Sequence, residues 1–310
     1  MLKSIPIEQL ASSDSSLEQR TAVLGERDDH TRQQEEELYS HVLKSWGDAV
    51  SLINNSGPKH GWEKVFFGMR PDVLGKDRHI QLWKKQIEVD GKTFYVFKTM
   101  AKLRCEAWRV IQLNVDYNYE RKRKWEDDDL KKTVLVKKVF RAKTGREKPG
   151  IKLSDRISII DSYIQPVEIN VPLFGKTSIF DPRRFLISQW LKKVKTQWVL
   201  MSRSLSEDFT TTKEGIDRYP VDPKFANAIS VTGFAAIVAK PDSNQPKEFC
   251  HVTTVAYISP GGMIPDSIVD SYANKFMERL ETYEKMCQEA MWKFLGFGTV
   301  KDFLRSYIYE

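Results

Sequence analysis

The sequence is poor in the residues from which catalytic centres are built. Its five histidines, His30, His41, His60, His79 and His251, show no HExxH or HxH spacing, which argues against a zinc site. The three cysteines, Cys105, Cys250 and Cys287, are odd in number and form no CxxC. They read as small buried apolar residues in a reducing compartment. Cys250 and His251 are neighbours in a strand-like segment, where alternation points them to opposite faces and weakens any dyad. There is no GxSxG elbow and no GxGxxG loop. LFGKTS at 173–178 has the end of a P-loop, but Asn170 stands where the motif's first glycine belongs, so a turn is the better reading. EDDD at 126–129 lacks the spaced ligands of a calcium loop and reads as a solvated helix end. No metal and no cofactor is implied. No run approaches the roughly 20 apolar residues of a membrane-spanning helix. The opening MLKSIPIEQLASSDSS has no apolar signal core and acids soon follow, so the expectation is a cytoplasmic protein.

What the chain does have is an ordinary globular composition, 41% hydrophobic and 29% charged, enough for a sizeable core. Its net charge of +7 is concentrated: residues 119–156 carry 14 basic and 7 acidic side chains, and the remainder is neutral overall. Such a segment attracts something anionic. RKRKW at 121–125 offers cations and a stacking ring for nucleic acid, but EDDD follows at once and would repel the same backbone. No RRM, KH or helix-turn-helix signature is present, so nucleic acid is not an expected partner.

Residues 1–30 are polar and aperiodic and read as a disordered tail. A helix is expected from Thr31, with Leu38, Val42, Trp46 and Val50 on one stripe, ending at Asn54–Pro58. WEKVFFGM, HIQLWKKQIEV and KTFYVFKTM read as strands, the last two joined by an Asp90-Gly91 hairpin signal. Helix is expected over 103–130, then a partly exposed hairpin or loop, then a run of strands to residue 258. A long helix follows Pro265, its stripe running through Val269, Tyr272, Phe276, Leu280, Tyr283, Cys287 and Met291 until Gly296. Strands grouped between helices predict an α+β fold with an antiparallel sheet.

The segment ISPGGMIP, leading from a strand into the long helix, is similar to the C-terminal signature of the START (steroidogenic acute regulatory-related lipid transfer) domain family. Further landmarks fall in the family's order: HGWEKV, LNVDYNYERKRKWEDD, IFDPRRFLISQWLKK, MSRSL and residues 227–240. The chain most resembles the phosphatidylcholine-transfer and ceramide-transfer branch. The resemblance covers about residues 35–293 and implies a START lipid-binding domain over 31–295, with a short C-terminal tail at 296–310. It implies a helix-grip fold, a curved antiparallel sheet wrapped around the C-terminal helix with a lipid between them. The implied function is non-enzymatic: a monomeric carrier, peripheral to membranes, that takes one phospholipid, ceramide or sterol and moves it between them, touching anionic membrane surface transiently. A lipid-sensing module that recruits partners, or a hydrolase or cyclase on the same scaffold, are the alternatives.

The resemblance also implies sites. Pro260, Gly261, Gly262 and Pro265 would form the corner that lays the helix over the lipid as a gate, with Phe174 and Phe180 in the apolar loop 172–182 beside it. Lys122 and Glu126 fall where phosphatidylcholine carriers have an inward Arg and Asp around a tryptophan, here Trp125. Glu168 and Gln189 fall where sterol and ceramide carriers contact a headgroup, with Ser230 as a companion on a later strand. Tyr272, Phe276, Leu280 and Tyr283 would line the inner face of the helix. Strand alternation independently puts Gln189 on an apolar face with Phe185, Ile187 and Leu191, whereas it puts Glu168 on the side away from Val167, Ile169 and Val171. The pair Arg183-Arg184 departs from the family's Arg-Asp, which puts its usual salt bridge in doubt. Residues 139–160 form a basic insertion suited to a membrane surface.

Overall fold

The computed structural model describes residues 38, 47, 49–89, 92–126, 130–140, 156–165, 168–171, 175–178, 181–205, 219–259 and 266–303. At 168–178 and 266–273 only the backbone of the described residues is considered. A ten-stranded sheet runs in the order β1-β2-β3-β12-β11-β9-β8-β5-β4, with β10 beside β8. Its strands are β1 (Glu63–Pro71), β2 (Asp77–Val89), β3 (Lys92–Leu103), β4 (Leu130–Phe140), β5 (Arg156–Ile164), β8 (Arg183–Val194), β9 (Gln197–Ser204), β10 (Ile229–Ser230), β11 (Thr232–Pro241) and β12 (Cys250–Ser259). Every pairing is antiparallel except β10 with β8. β6 (Glu168–Val171) and β7 (Gly175–Ser178) form a separate hairpin, so part of the expected apolar loop 172–182 is strand.

Helical residues 49–54 form the described end of α1. The expected helix over 103–130 is two short ones, α2 (Ala107–Val115) and α3 (Tyr119–Arg123). The break has a local cause: Asp116 is extended, and the Asn118 side chain accepts from Arg121 N and starts α3 afresh. The C-terminal helix also divides, into α4 (Asp266–Cys287) and α5 (Glu289–Phe294), because Gln288 is extended at ψ 146°. Gln288 Nε2 donates to the carbonyls of Arg104 (2.9 Å) and Glu284 (3.0 Å), satisfying a helix-end acceptor.

Both faces of the sheet are covered, and period-two alternation assigns side chains to each. Along β11, Phe234, Ala236 and Val238 join one core, whereas Ile237 and Ala239 join the other. The first core lies against α1. There Lys98, only 1% exposed, reaches the carbonyls of Leu52 (3.2 Å), Ile53 (2.6 Å) and Asn55 (3.1 Å) at the helix end, with its charge 5.6 Å from the Trp62 ring. The second core is gripped between the sheet and α2, α4 and α5. Phe297 and Phe303 are buried in it, beside Trp108 and Trp292, so the segment expected as a tail is part of the domain core up to residue 303.

One feature corrects the sequence reading. Arg184 does have a salt bridge, with Asp161 on the neighbouring strand β5, bidentate at 3.0 and 2.9 Å, and both residues are buried. The three cysteines, distant in sequence, meet: Cys105 Sγ is 3.7 Å from Cys250 Sγ, Cys287 adjoins Cys105, and all three are free and buried, as expected.

Candidate functional site

A continuous polar chain runs through the apolar core of the grip. It begins on β8, where Gln189 is 4% exposed, on the face that alternation predicted. Gln189 Nε2 donates to Asn114 O (3.3 Å) and to Ser202 Oγ (3.2 Å), its register partner on β9. Gln189 Oε1 accepts from the Tyr117 hydroxyl at 3.0 Å. Asn114 Oδ1 accepts from the Tyr283 hydroxyl on α4 at 2.7 Å. That hydroxyl in turn accepts from Arg279 Nε, one helical turn earlier, at 3.2 Å. Arg279 Nη2 donates to Glu126 Oε1 at 2.6 Å, and Glu126 Oε2 lies 3.6 Å from Lys122 Nζ. The Arg279 guanidinium sits 5.1 Å from the centre of the Trp125 ring.

The short helix α3 makes this arrangement possible. Glu126, just past its end, lies one turn after Lys122 on the same side, and Trp125 is buried beside them. Burial works to raise the Glu126 pKa, but the Lys122 and Arg279 cations outweigh it and hold the carboxyl below its usual range. Tyr283 and Glu126 likewise outweigh the burial that disfavours charge on Arg279 and hold its pKa above the ordinary value. Two polar atoms are left over: Trp125 Nε1 is buried with no hydrogen-bond partner, and Glu126 Oε2 has its ion pair but no hydrogen bond. Arg279 keeps 35% of its side chain open, so the site reaches solvent between α3 and α4.

The base of α4 is pinned by a second polar cluster. Glu284, 1% exposed, accepts from Arg78 Nη1 and Arg104 N, each at 2.5 Å, and from Val73 N at 3.3 Å. Arg109 Nη1 donates to Cys287 O at 2.7 Å. This cluster orients the helix that presents Arg279 and Tyr283.

The structure thus brings Lys122, Trp125, Glu126, Gln189 and Tyr283 together, with Leu280 fully buried and Phe276 packed on Phe97 in the same core. Ser230 is placed elsewhere: it is exposed on β10, whose pairing with the edge of β8 at Arg184 keeps it out of the chain. Glu168 lies on β6 and Tyr272 on α4, with side chains outside the described residues. Phe174, Phe180, Pro260, Gly261, Gly262 and Pro265 fall wholly outside them. Sequence reasoning missed Asn114, Tyr117, Ser202 and Arg279. Arg279 carried a signal, since it stands three residues after Phe276 and four before Tyr283, inside the apolar stripe. His251 binds Asp242 at 3.0 Å and is half-exposed, whereas Cys250 is fully buried, so no nucleophile and base meet there. Among the described residues no cluster of His, Cys, Asp or Glu fits a metal ion, and no helix is long and apolar enough to cross a membrane.

No family model and no curated protein matches the sequence. Solved structures do. The crystal structure of human STARD10 superposes with a TM-score of 0.51 over 89% of this chain and 87% of that one, at 14% identity. The fold is the START fold. Human StAR-related lipid transfer protein 5 (TM-score 0.48, 12% identity, 86% and 98% covered) is a weaker likeness. So is the human StarD13 lipid transfer and protein localization domain (TM-score 0.47, 11% identity, 80% and 98% covered). In START terms, the grip is the sheet from β1 to β4 and the gripped helix is α4.

Proposed function

We propose that this protein binds one polar lipid in the grip interior and carries it between membranes without altering it chemically. The observation that supports this most is the polar chain from Gln189 to Lys122. It is a set of fixed donors and acceptors inside an apolar core, with Trp125 Nε1 and Glu126 Oε2 still short of hydrogen-bond partners. Such an interior matches a molecule with two apolar chains and a polar head. Each buried CH₂ contributes about 0.8 kcal/mol, and the head must satisfy what it displaces from water. The ligand is a phospholipid or ceramide-like lipid, in keeping with the phosphatidylcholine- and ceramide-transfer resemblance. Release proceeds by movement of the start of α4, at a membrane that the protein touches transiently as a cytoplasmic monomer.

The test is native mass spectrometry of the purified protein after incubation with mixed-lipid vesicles, with identification of what is bound. One lipid per protein, unmodified, is the expected result. A folded protein that stays empty, or a bound product of lipid cleavage, would overturn the carrier reading.

A further inference from the structure

All three cysteines of the chain end at one place in the fold. Cys105 links β3 to α2, Cys250 opens β12 and Cys287 closes α4. Cys105 Sγ is the centre of the cluster. Cys250 Sγ is 3.7 Å from it, and the Cys287 thiol hydrogen-bonds to it as well. Three features favour a thiolate at Cys105. When it ionises, the S–H groups of both neighbours can donate to it. Arg109, whose guanidinium also donates to Cys287 O at 2.7 Å, brings a cation close. Cys105 directly precedes Glu106, the N-cap of α2, and so stands at the positive end of that helix. The hydrogen bonds from Cys250 and Cys287 outweigh burial and the Glu106 carboxylate, and hold the Cys105 thiol below its ordinary range. The other two thiols are pushed up, Cys250 mainly by its bond to Cys105 and Cys287 mainly by burial. One nucleophilic sulfur thus faces two protonated ones.

We propose that this cluster is a redox site, at which a small hydroperoxide joins Cys105 to Cys250 in a disulfide. The proposal does not rest on the carrier reading. The Cys105 thiolate attacks the O–O bond; an S–O bond forms, the O–O bond breaks, and the alkoxide or hydroxide leaves and takes up a proton. Cys250 sulfur then attacks the Cys105 sulfenic acid; the S–S bond forms, the S–O bond breaks, and the Cys250 proton leaves with the hydroxyl as water. Two thiols are oxidised by two electrons, and one hydroperoxide is reduced to an alcohol, or to water, plus water. Cys105 is 6% exposed and Cys250 is fully buried, so the site admits a small oxidant and excludes a bulky one such as glutathione disulfide. The cross-link bears on the base of the gripped helix. Arg104, next to Cys105, gives its N–H to Glu284 and its carbonyl to Gln288 Nε2. It also joins residues 145 apart in sequence, which restrains the unfolded chain.

The experiment treats the reduced full chain with hydrogen peroxide, alkylates the remaining thiols in denaturant, and reads intact mass and the peptide map. The expected product has lost the mass of two hydrogen atoms, links the Cys105 and Cys250 peptides, keeps Cys287 alkylated and reverts with dithiothreitol. Its urea midpoint should lie above that of the reduced chain. Cys105→Ser should abolish the product, and Cys287→Ser, which removes one S–H donor, should slow its formation without changing it. In Cys250→Ser, dimedone should trap the Cys105 sulfenic acid, or Cys287 should take the place of Cys250. Three thiols still alkylated after peroxide exposure that oxidises free N-acetylcysteine would overturn the proposal. So would a Cys250–Cys287 disulfide, or a disulfide that forms only once urea has unfolded the chain. Should Cys105→Ser fail to fold by circular dichroism, the peptide map of the unaltered chain and the rate in Cys287→Ser carry the test.

Discussion

Replacing Glu284 by leucine tests how the gripped helix is held. Glu284 and Arg78 are among the most buried charged groups described, with side chains 1% and 4% exposed. The carboxylate accepts from Arg78, from Arg104 N and from Val73 N. Its removal leaves a guanidinium in the core whose nearest remaining acid, Glu281, is 3.9 Å away and 38% exposed. Stranding one partner of a buried pair costs about 3–5 kcal/mol, and the distant Glu281 should hold the loss near about 3. Burial raises the Glu284 pKa above its ordinary value, with the Arg104 and Arg78 contacts working against that rise. The sign follows: a raised folded pKa gives stability that is complete below the unfolded pKa and lost as pH rises through the folded one. The ionised carboxylate is therefore a net burden that its partners only partly offset. Removing both charges, as Glu284→Leu with Arg78→Leu, should then recover part of the loss, with the Arg104 and Val73 N–H groups still lacking their acceptor. Urea unfolding followed by tryptophan fluorescence reads each variant as a shift in midpoint at constant slope. A single variant costing under about 1 kcal/mol, or a double variant no better than the single, would refute this account.

Three further changes address other contacts. Gln189→Leu should cost about 1–3 kcal/mol in urea unfolding, because the Asn114 carbonyl and Ser202 hydroxyl each lose a buried hydrogen bond, and it should alter which headgroup is bound in the vesicle assay. Arg184→Met should cost about 3–5 kcal/mol by leaving Asp161 buried without its fork, and Arg184→Lys should recover only part of that. Desolvation lowers the Lys98 pKa from 10.5 to about 8, so between these values the unfolded chain holds a proton that the folded chain has lost. Stability should therefore rise from pH 8 to pH 10.5 in the parent relative to Lys98→Met, by up to about 1.4 kcal/mol per pH unit, and equal slopes in urea titrations at pH 8 and 10 would exclude this role for Lys98.

How much of this was legible beforehand depended on whether a signal lived within one element. The strands and the long helix showed through their periodicity, and the parity that placed Gln189 inward needed only its own strand. The ends of the elements were less legible, because the breaks at Asp116 and Gln288 are fixed by side chains bonding to distant or newly started backbone. Contacts that depend on register were not legible at all. Arg184 read as a broken pair because its acid was sought next door in sequence, yet Asp161 lies on β5, where Tyr163 is the register partner of Arg184. Lys98 reads as a surface strand residue until a helix end more than 40 residues earlier covers it with three carbonyls.

The same distinction separates the two halves of the candidate site. Lys122 on α3 and Trp125 and Glu126 just past its end come from one short segment, and a resemblance could point to them. Arg279 and Tyr283 arrive from α4, Asn114 from α2, and Gln189 with Ser202 from β8 and β9, so their meeting is a property of the closed grip alone. This has a functional corollary. If polar recognition is spread across the gripped helix and the sheet, then moving α4 dismantles the site at the contacts of Arg279 and Tyr283 while α3 keeps its Lys122–Glu126 pair. Under the proposed carrier reading, opening and loss of headgroup affinity are then one event, with release when the helix swings and retention while Arg279 stays in place.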